Sequence, residues 1–391
     1  MSLPTRPRVA VLIDPGDSWG RGIIHGISSA IRQGLSWELL IAPRDEQMRF
    51  RIPARWNGNG IIAAVRDEWT ARHLCAFNLP TVNVSSWERS RSQWFIVRTD
   101  DQRRAEMAFQ HFRERGFQHF AYYGPRSPRY SASRGELFRD VVMSAGFCCE
   151  LFPISSRNLS WQSIQSHTLR WLQQLPRPLA VFVADPVPGV HLTEICNLAG
   201  LKVPEEIAIL VGDTDDLLCE ISDPPLSSIV LASEQIGAVS VRTLDLLMNG
   251  QAPASRLELI PPMRIVGRQS SDILAIADPV LVEALRLIRQ LAHTGIQVKD
   301  LLRNIPVSRR SLEYRFQHQL NCTPADEIRR VRLERVKLLL TVTDQTTEQI
   351  AHASGFCSPS QLCFAFKKET GQTPQEYRRI SQSGGQMTAL E

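Results

Sequence analysis

The stretch that most restricts this chain is residues 346–378, TTEQIAHASGFCSPSQLCFAFKKETGQTPQEYR. Ile350, Ala351 and Ala353 set out a short apolar helix that stops at Gly355, the residue type that closes a helix in a left-handed conformation. Phe356 follows as a core plug. Ser358 offers an N-cap oxygen and Pro359 takes the first position of a second helix. That helix runs through Leu362, Phe364, Ala365 and Phe366 to Lys367 and Lys368, and Gly371 and Pro374 break the chain before a last short helix. Two short helices joined by a glycine turn, the second closing on lysines, read as a helix-turn-helix.

The pattern occurs twice. In residues 295–324, Val298, Leu301 and Leu302 form the apolar face of a first helix, and Ser308 caps a second whose Leu312 and Phe316 point inward. Arg309, Arg310, Glu313, Tyr314 and Gln317 are left facing out, and a long amphipathic helix near 325–340 joins the copies. At these residues the chain resembles the AraC/XylS family of transcription regulators. The family's second-unit pattern is matched by Ala351, Gly355, Phe356, Ser358, Ser360, Phe366, Lys367, Gly371, Thr373, Pro374, Tyr377 and Arg378. The resemblance implies double-stranded DNA as a partner. The residues expected to meet it are Ser308, Arg309, Arg310, Glu313, Tyr314 and Gln317 from the first unit, with Ser358, Ser360, Gln361, Lys367 and Lys368 from the second. Two positions depart from the pattern: Phe364 stands where the family usually has arginine, and Asn321 replaces a glycine, a change the left-handed tolerance of Asn accommodates.

Charge follows the same division. From residue 279 onward there are 16 Lys and Arg against 11 Asp and Glu, so the whole formal charge of +5 falls on this segment, where phosphate contacts need it. No apolar run reaches the length of a membrane span, and the opening MSLPTRPRVAVLID lacks a signal-peptide core. The 8 cysteines form no C-x-x-C pair, so reduced thiols and a cytoplasmic location are expected, without a membrane partner.

Upstream, short apolar runs alternate with helical periods. Strands are expected at 8–14, 37–42, 60–64 and 79–84, with helices at 19–33 and near 67–77 between them. The alternation restarts with helices at 100–115 and 133–145 around a strand at 120–123. It continues through 160–175, 179–184, 190–199 and 207–212 to a helix at 233–249 and a strand at 257–260. Such alternation implies parallel sheets covered on both faces. Two of them in about 270 residues fit a bilobed domain with its ligand between the lobes. The phrases FAYYG, SASRGELFRDVVMSAG, VFVADPVPGV and KVPEEIAILVGDTDD, in that order, resemble the effector domain of the LacI/GalR regulators and the periplasmic sugar-binding proteins. The expected fold is therefore an α/β bilobed periplasmic-binding-protein-like domain followed by an all-α domain with two helix-turn-helix units. The expected bounds are 1–270 for the effector domain, 271–278 for a linker and 279–391 for the DNA-binding domain.

A sugar of several hydroxyls and no charge is recognised by Asp, Asn and Arg side chains together with an aromatic ring on its apolar face. Asp185 and Asp213 each follow a strand end, Asp215 being the alternative to Asp213. Trp19, just after the first strand, is one of several tryptophans able to stack on a sugar, and Arg134 matches the LacI-like arginine that meets sugar hydroxyls. The joint resemblance is to regulators of pentose use, and implies a xylose-dependent activator with D-xylose as ligand, a homodimer and RNA polymerase as a further partner. The same architecture serving another sugar, or a sugar receptor that binds no DNA, are the rival readings. No P-loop, G-x-G-x-x-G, G-x-S-x-G or H-E-x-x-H occurs, and His25 and His167 lack a nucleophile or ligand partner, so neither catalysis nor a cofactor or metal is expected.

Overall fold

A computed structural model describes residues 6–86, 94–124, 129–153, 160–273, 278–320, 322–343 and 345–379. The chain divides into two compact units, Met1–Ala275 and Ile276–Glu391. The expected linker lies partly outside the described residues, at 274–277, as does Asn321.

In the first unit the chain builds two six-stranded sheets. The first lobe begins with β1 (Arg8–Leu12), α1 (Ser18–Arg32), β2 (Glu38–Ile41), β3 (Gly60–Ala63), α2 (Glu68–Cys75), β4 (Thr81–Asn83) and β5 (Phe95–Thr99). The chain then crosses over. The second lobe holds α3 (Asp101–Glu114), β6 (His119–Tyr123), α4 (Arg129–Ser144), β7 (Cys149–Leu151), α5 (Trp161–Gln174), β8 (Leu179–Val183), α6 (Pro186–Leu198), β9 (Ile207–Val211), α7 (Asp216–Ile221) and β10 (Ser227–Val230). A return crossing places α8 (Ser233–Met248) and β11 (Leu257–Ile260) on the first lobe, and a third takes β12 (Arg264–Val266) back to the second.

The first sheet has the order β11-β5-β4-β3-β1-β2 with every pair parallel. The second runs β12-β10-β9-β8-β6-β7, parallel except for β10 against β12. β3, β8 and β9 are buried along their whole length, as strands covered on both faces must be. The cores follow: Val9, Val11, Ile62 and Val82 pack with Ile23, Ile27, Ile236 and Leu244 in the first lobe, and Val181, Val183, Ile209 and Val211 with Leu172, Leu192 and Leu226 in the second. Helices α1 and α8 meet through glycine. A Cβ on Gly26 would stand 2.0 Å from the Glu234 carbonyl oxygen, and one on Gly237 2.2 Å from that of Ile23. No side chain fits there.

The second unit is helical: α9 (Pro279–Leu291), α10 (Val298–Asn304), α11 (Arg309–Leu320), α12 (Pro324–Val342), α13 (Thr347–Ala353) and α14 (Pro359–Thr370), followed by a helical turn at 374–379. Gly295, Gly355 and Gly371 take the left-handed conformation at φ 86°, 79° and 75°, as the turns require. A Cβ at Gly355 would also lie 2.3 Å from the Ala292 carbonyl oxygen, so the turn of the second copy sits against the entry to the first. Leu362 and Phe366 of α14 pack with Ile350, Ala351 and Phe356 on Leu333, Val336 and Leu340 of α12.

β5, β7, β10, β12, α7 and α9 were not expected from the residues. All but α9 are short, and β5 carries Arg98 among its apolar residues.

Candidate functional site

The carboxyl ends of the strands in both sheets face one cavity of about 370 Å³. This is where open α/β sheets bind ligands. From the first lobe it is lined by Asp17, Ser18 and Trp19 at the start of α1, by Val65 and Arg66 after β3, and by Val84, Ser85 and Ser86 after β4. From the second come Arg104, Arg134, Trp161, Asp185, His191 and Asp213. All four candidates from the sequence, Trp19, Arg134, Asp185 and Asp213, line this cavity.

Arg134, in α4, is held on three sides. Its Nε donates to Asp101 Oδ1 at 3.2 Å, and its Nη1 donates to Asp185 Oδ1 at 3.0 Å and to the Ala184 carbonyl at 3.3 Å. Asp101 opens α3 at the first crossover and binds two guanidinium groups, since Arg104 Nη2 lies 3.1 Å from the same oxygen. Ser86 of the first lobe donates to its other oxygen at 3.0 Å. Burial alone would raise the Asp101 carboxyl, but Arg104 and Arg134 outweigh it and hold it below the usual carboxylate range. Arg104 is 1 % exposed. Its Nε and Nη1 have no hydrogen-bond partner among the described residues, leaving donors beside the cavity for a ligand or water.

Asp213 follows β9 through Gly212, whose missing Cβ would stand 2.7 Å from the Ala184 carbonyl oxygen. This close approach sets the ends of β8 and β9, and hence Asp185 and Asp213, side by side. Asp213 accepts from its neighbour Thr214 N–H at 2.7 Å. Burial pushes its carboxyl up to about 7, with Asp185 adding to the rise and Arg104 and Arg134 opposing it. Asp215 is used differently: it caps α7 by accepting from Leu218 N–H at 3.1 Å and faces Arg21 of the first lobe at 3.6 Å. Ser18 Oγ donates to the Thr214 carbonyl at 2.6 Å, a second bond from lobe to lobe. Apolar walls come from Trp19, whose ring lies 6.0 Å from the Arg66 guanidinium, and from Trp161, packed edge-on to His191 at 4.8 Å.

Sequence reasoning missed Asp101, Arg104, Arg66, Trp161 and His191. Asp101 and Arg104 stand three apart in DDQRRAE, a run that reads as a solvated helix face. Only the crossover buries it.

In the second unit, Ser308 and Ser358 both act as caps, accepting from Ser311 N–H and Gln361 N–H at 3.2 Å. Ser308, Arg309, Arg310, Tyr314 and Gln317 are exposed on or beside α11, with Glu313 half-buried. Arg309 is tied to Glu313 at 2.8 Å across one turn. On α14, Ser360, Gln361, Lys367 and Lys368 are exposed and Ser358 half-buried. Among the described residues no helix is long and apolar enough to cross a membrane.

Comparison with known proteins agrees with this division. Residues 109–271 match the periplasmic binding protein-like domain, residues 301–380 a helix-turn-helix domain and residues 8–102 the XylR N-terminal domain. The chain is 28% identical over 386 residues to the xylose operon regulatory protein of Escherichia coli K12, covering 96% of this chain and 98% of that one. It is 26% identical to the protein of that name from Haemophilus influenzae, covering 95% and 98%. Among solved structures, that of a xylose-binding transcription activator superposes with a TM-score of 0.80 at 26% identity, over 96% of this chain and 98% of that one. A cellobiose complex of a transcriptional regulator, at 18% identity and TM-score 0.54 over 69% of this chain and 86% of that one, shares the fold of the first unit.

Proposed function

We propose that the chain, which is similar along its length to regulators joining a periplasmic-binding-protein-like domain to a C-terminal helix-turn-helix domain, is a xylose-responsive, DNA-binding transcription activator. One observation carries the reading. A cavity lined by Arg134, Asp185, Asp213 and Trp19 lies in the same chain as two helix-turn-helix units. At about 370 Å³ the cavity is near the small end of ligand pockets, which suits a monosaccharide.

The residues divide the work by chemistry. Arg134 and Asp185, already bonded to each other, are pre-oriented to donate to and accept from adjacent hydroxyls. Asp213 accepts a further hydroxyl, and Trp19 covers an apolar face of the ring. A sugar held by Trp19 on one lobe and Asp213 on the other favours the closed cleft, by as much as its affinity differs between open and closed forms. Ser18 with Thr214, Ser86 with Asp101 and Arg21 with Asp215 are direct bonds that closure would make or keep. On the DNA side, Arg309 and Arg310 open the first recognition helix, where base edges are within reach, and Lys367 and Lys368 close the second, where phosphates are. The domain bounds 1–270 and 279–391, a cytoplasmic location, a homodimer and contact with RNA polymerase belong to the same proposal. Calorimetry of the full chain against D-xylose, L-arabinose, D-ribose and D-glucose tests it. Saturable binding of D-xylose ahead of the others supports the assignment, and no heat with any of the four overturns the sugar reading.

A further inference from the structure

The two helix-turn-helix copies place an aromatic side chain at the same position of each recognition helix. Aligning the caps Ser308 and Ser358 pairs Leu312 with Leu362, Phe316 with Phe366, and Tyr314 with Phe364. The buried pairs are fully covered, yet Tyr314 is 67% and Phe364 74% exposed. Helical geometry explains this: at about 100° per residue, position 364 lies diametrically opposite the midpoint of 362 and 366, and position 314 lies opposite that of 312 and 316. Each aromatic therefore stands at the centre of the helix face turned away from the core. Tyr314 rests on His318 at 5.6 Å and keeps a hydroxyl for polar contacts. Phe364 has no polar atom. A single exposed ring is ordinary, but this one repeats the position of Tyr314 at the centre of the outward face, where an apolar group of whatever meets that face can pack on it.

Around Phe364 the face is polar and cationic, with Ser360 and Gln361 one turn before and Lys367 and Lys368 one turn after, all exposed. Lysines at this spacing fit a polyanion, and the major groove of duplex DNA presents one apolar group among its polar edges, the thymine C5-methyl. We propose that Phe364 reads thymine by packing its ring on that methyl, so that the second unit selects an A·T pair through an apolar contact rather than a hydrogen bond. The inference rests on the DNA-binding reading above.

The experiment uses the full chain and the tightest duplex it recovers from a random pool. Each thymine of that duplex is replaced in turn by deoxyuridine, which keeps every hydrogen-bonding edge and loses only the methyl. One position, or two adjacent ones, is expected to weaken wild-type binding about three- to tenfold. Phe364→Ala should bind the thymine duplex as weakly as wild type binds the uracil one, and should no longer distinguish them. Lys367→Ala should bind both more weakly and keep the ratio. A ratio that persists in Phe364→Ala overturns the proposal. So does a Phe364→Ala protein that binds DNA normally but fails to activate, which would make the ring a contact for another protein. Recovery of no duplex at all overturns the DNA-binding reading itself, and this inference with it.

Discussion

Replacing Asp213 by Asn tests the floor of the cleft. The Asp213 carboxyl is held up to about 7 by burial, so near neutrality it is divided between protonated and ionised forms. Arg104, Arg134 and Asp185 surround it, and His191 lines the same cavity. If a sugar hydroxyl donates to this group, binding favours the ionised form, because a charged acceptor makes the stronger bond. At pH 6 about one molecule in ten is ionised, so apparent affinity should rise about tenfold between pH 6 and pH 8, or about 1.4 kcal/mol. Binding at pH 6 should also release a proton, which calorimetry detects by repeating the titration in buffers of different ionisation enthalpy. Asp213→Asn should lose about 1.5–3 kcal/mol of sugar affinity at pH 8 and should flatten the pH profile, which separates Asp213 from His191. Stability without sugar should move the other way. A carboxyl whose folded pKa lies above its unfolded one stabilises the fold at low pH, and that contribution is lost as pH rises from 3.8 towards 7. Unliganded Asp213→Asn is therefore expected to be more stable than wild type at pH 8, by up to about 4 kcal/mol. Sugar affinity that is level from pH 6 to 8, or a slope that survives in Asp213→Asn, would mean that no sugar hydroxyl donates to this carboxyl.

Further expectations concern the frame and the second unit. Arg134→Ala leaves Asp185 and the buried Asp101 short of a partner and should cost about 3–5 kcal/mol in urea unfolding as well as sugar affinity; a change under 1 kcal/mol would contradict the buried network. Gly26→Val forces a side chain into the Glu234 backbone and should destabilise the first unit by roughly 1–3 kcal/mol or more, read by thermal unfolding. Phe366→Ala empties a fully buried site and should cost about 3–5 kcal/mol. Arg310→Ala should relax preference at one base pair by about 1–3 kcal/mol, while Lys367→Ala should weaken all sequences alike and lower the salt slope by about one.

Much of this architecture is legible in the residues. Strand–helix alternation announces two parallel sheets, and the glycines at 355 and 371 with caps at 308 and 358 announce the paired helix-turn-helix units. What stays hidden depends on contacts distant in sequence. The helix at 101–114 opens the second series of elements, as expected, and packs on α4 there, but its charged run reads as a solvated face. Asp101 and Arg104 are buried only because the chain crosses between sheets immediately before them. Likewise α8 and β11 return to the first lobe because α8 fits α1 at glycines some 200 residues earlier, a pairing no local pattern contains. For the cleft, positions after strand ends pointed to Asp185 and Asp213. Trp161 and His191 sit on helices, where an aromatic reads as ordinary packing.

If the chain is a sugar-responsive regulator, sugar binding in the first unit and DNA binding in the second are coupled. Fluorescence anisotropy of the full chain on its selected duplex, titrated with D-xylose, measures that coupling directly. Saturating D-xylose is expected to change DNA affinity several-fold or more, and saturating DNA to change D-xylose affinity by the same factor, since the two shifts are one free energy. Two affinities that each ignore the other ligand would contradict it.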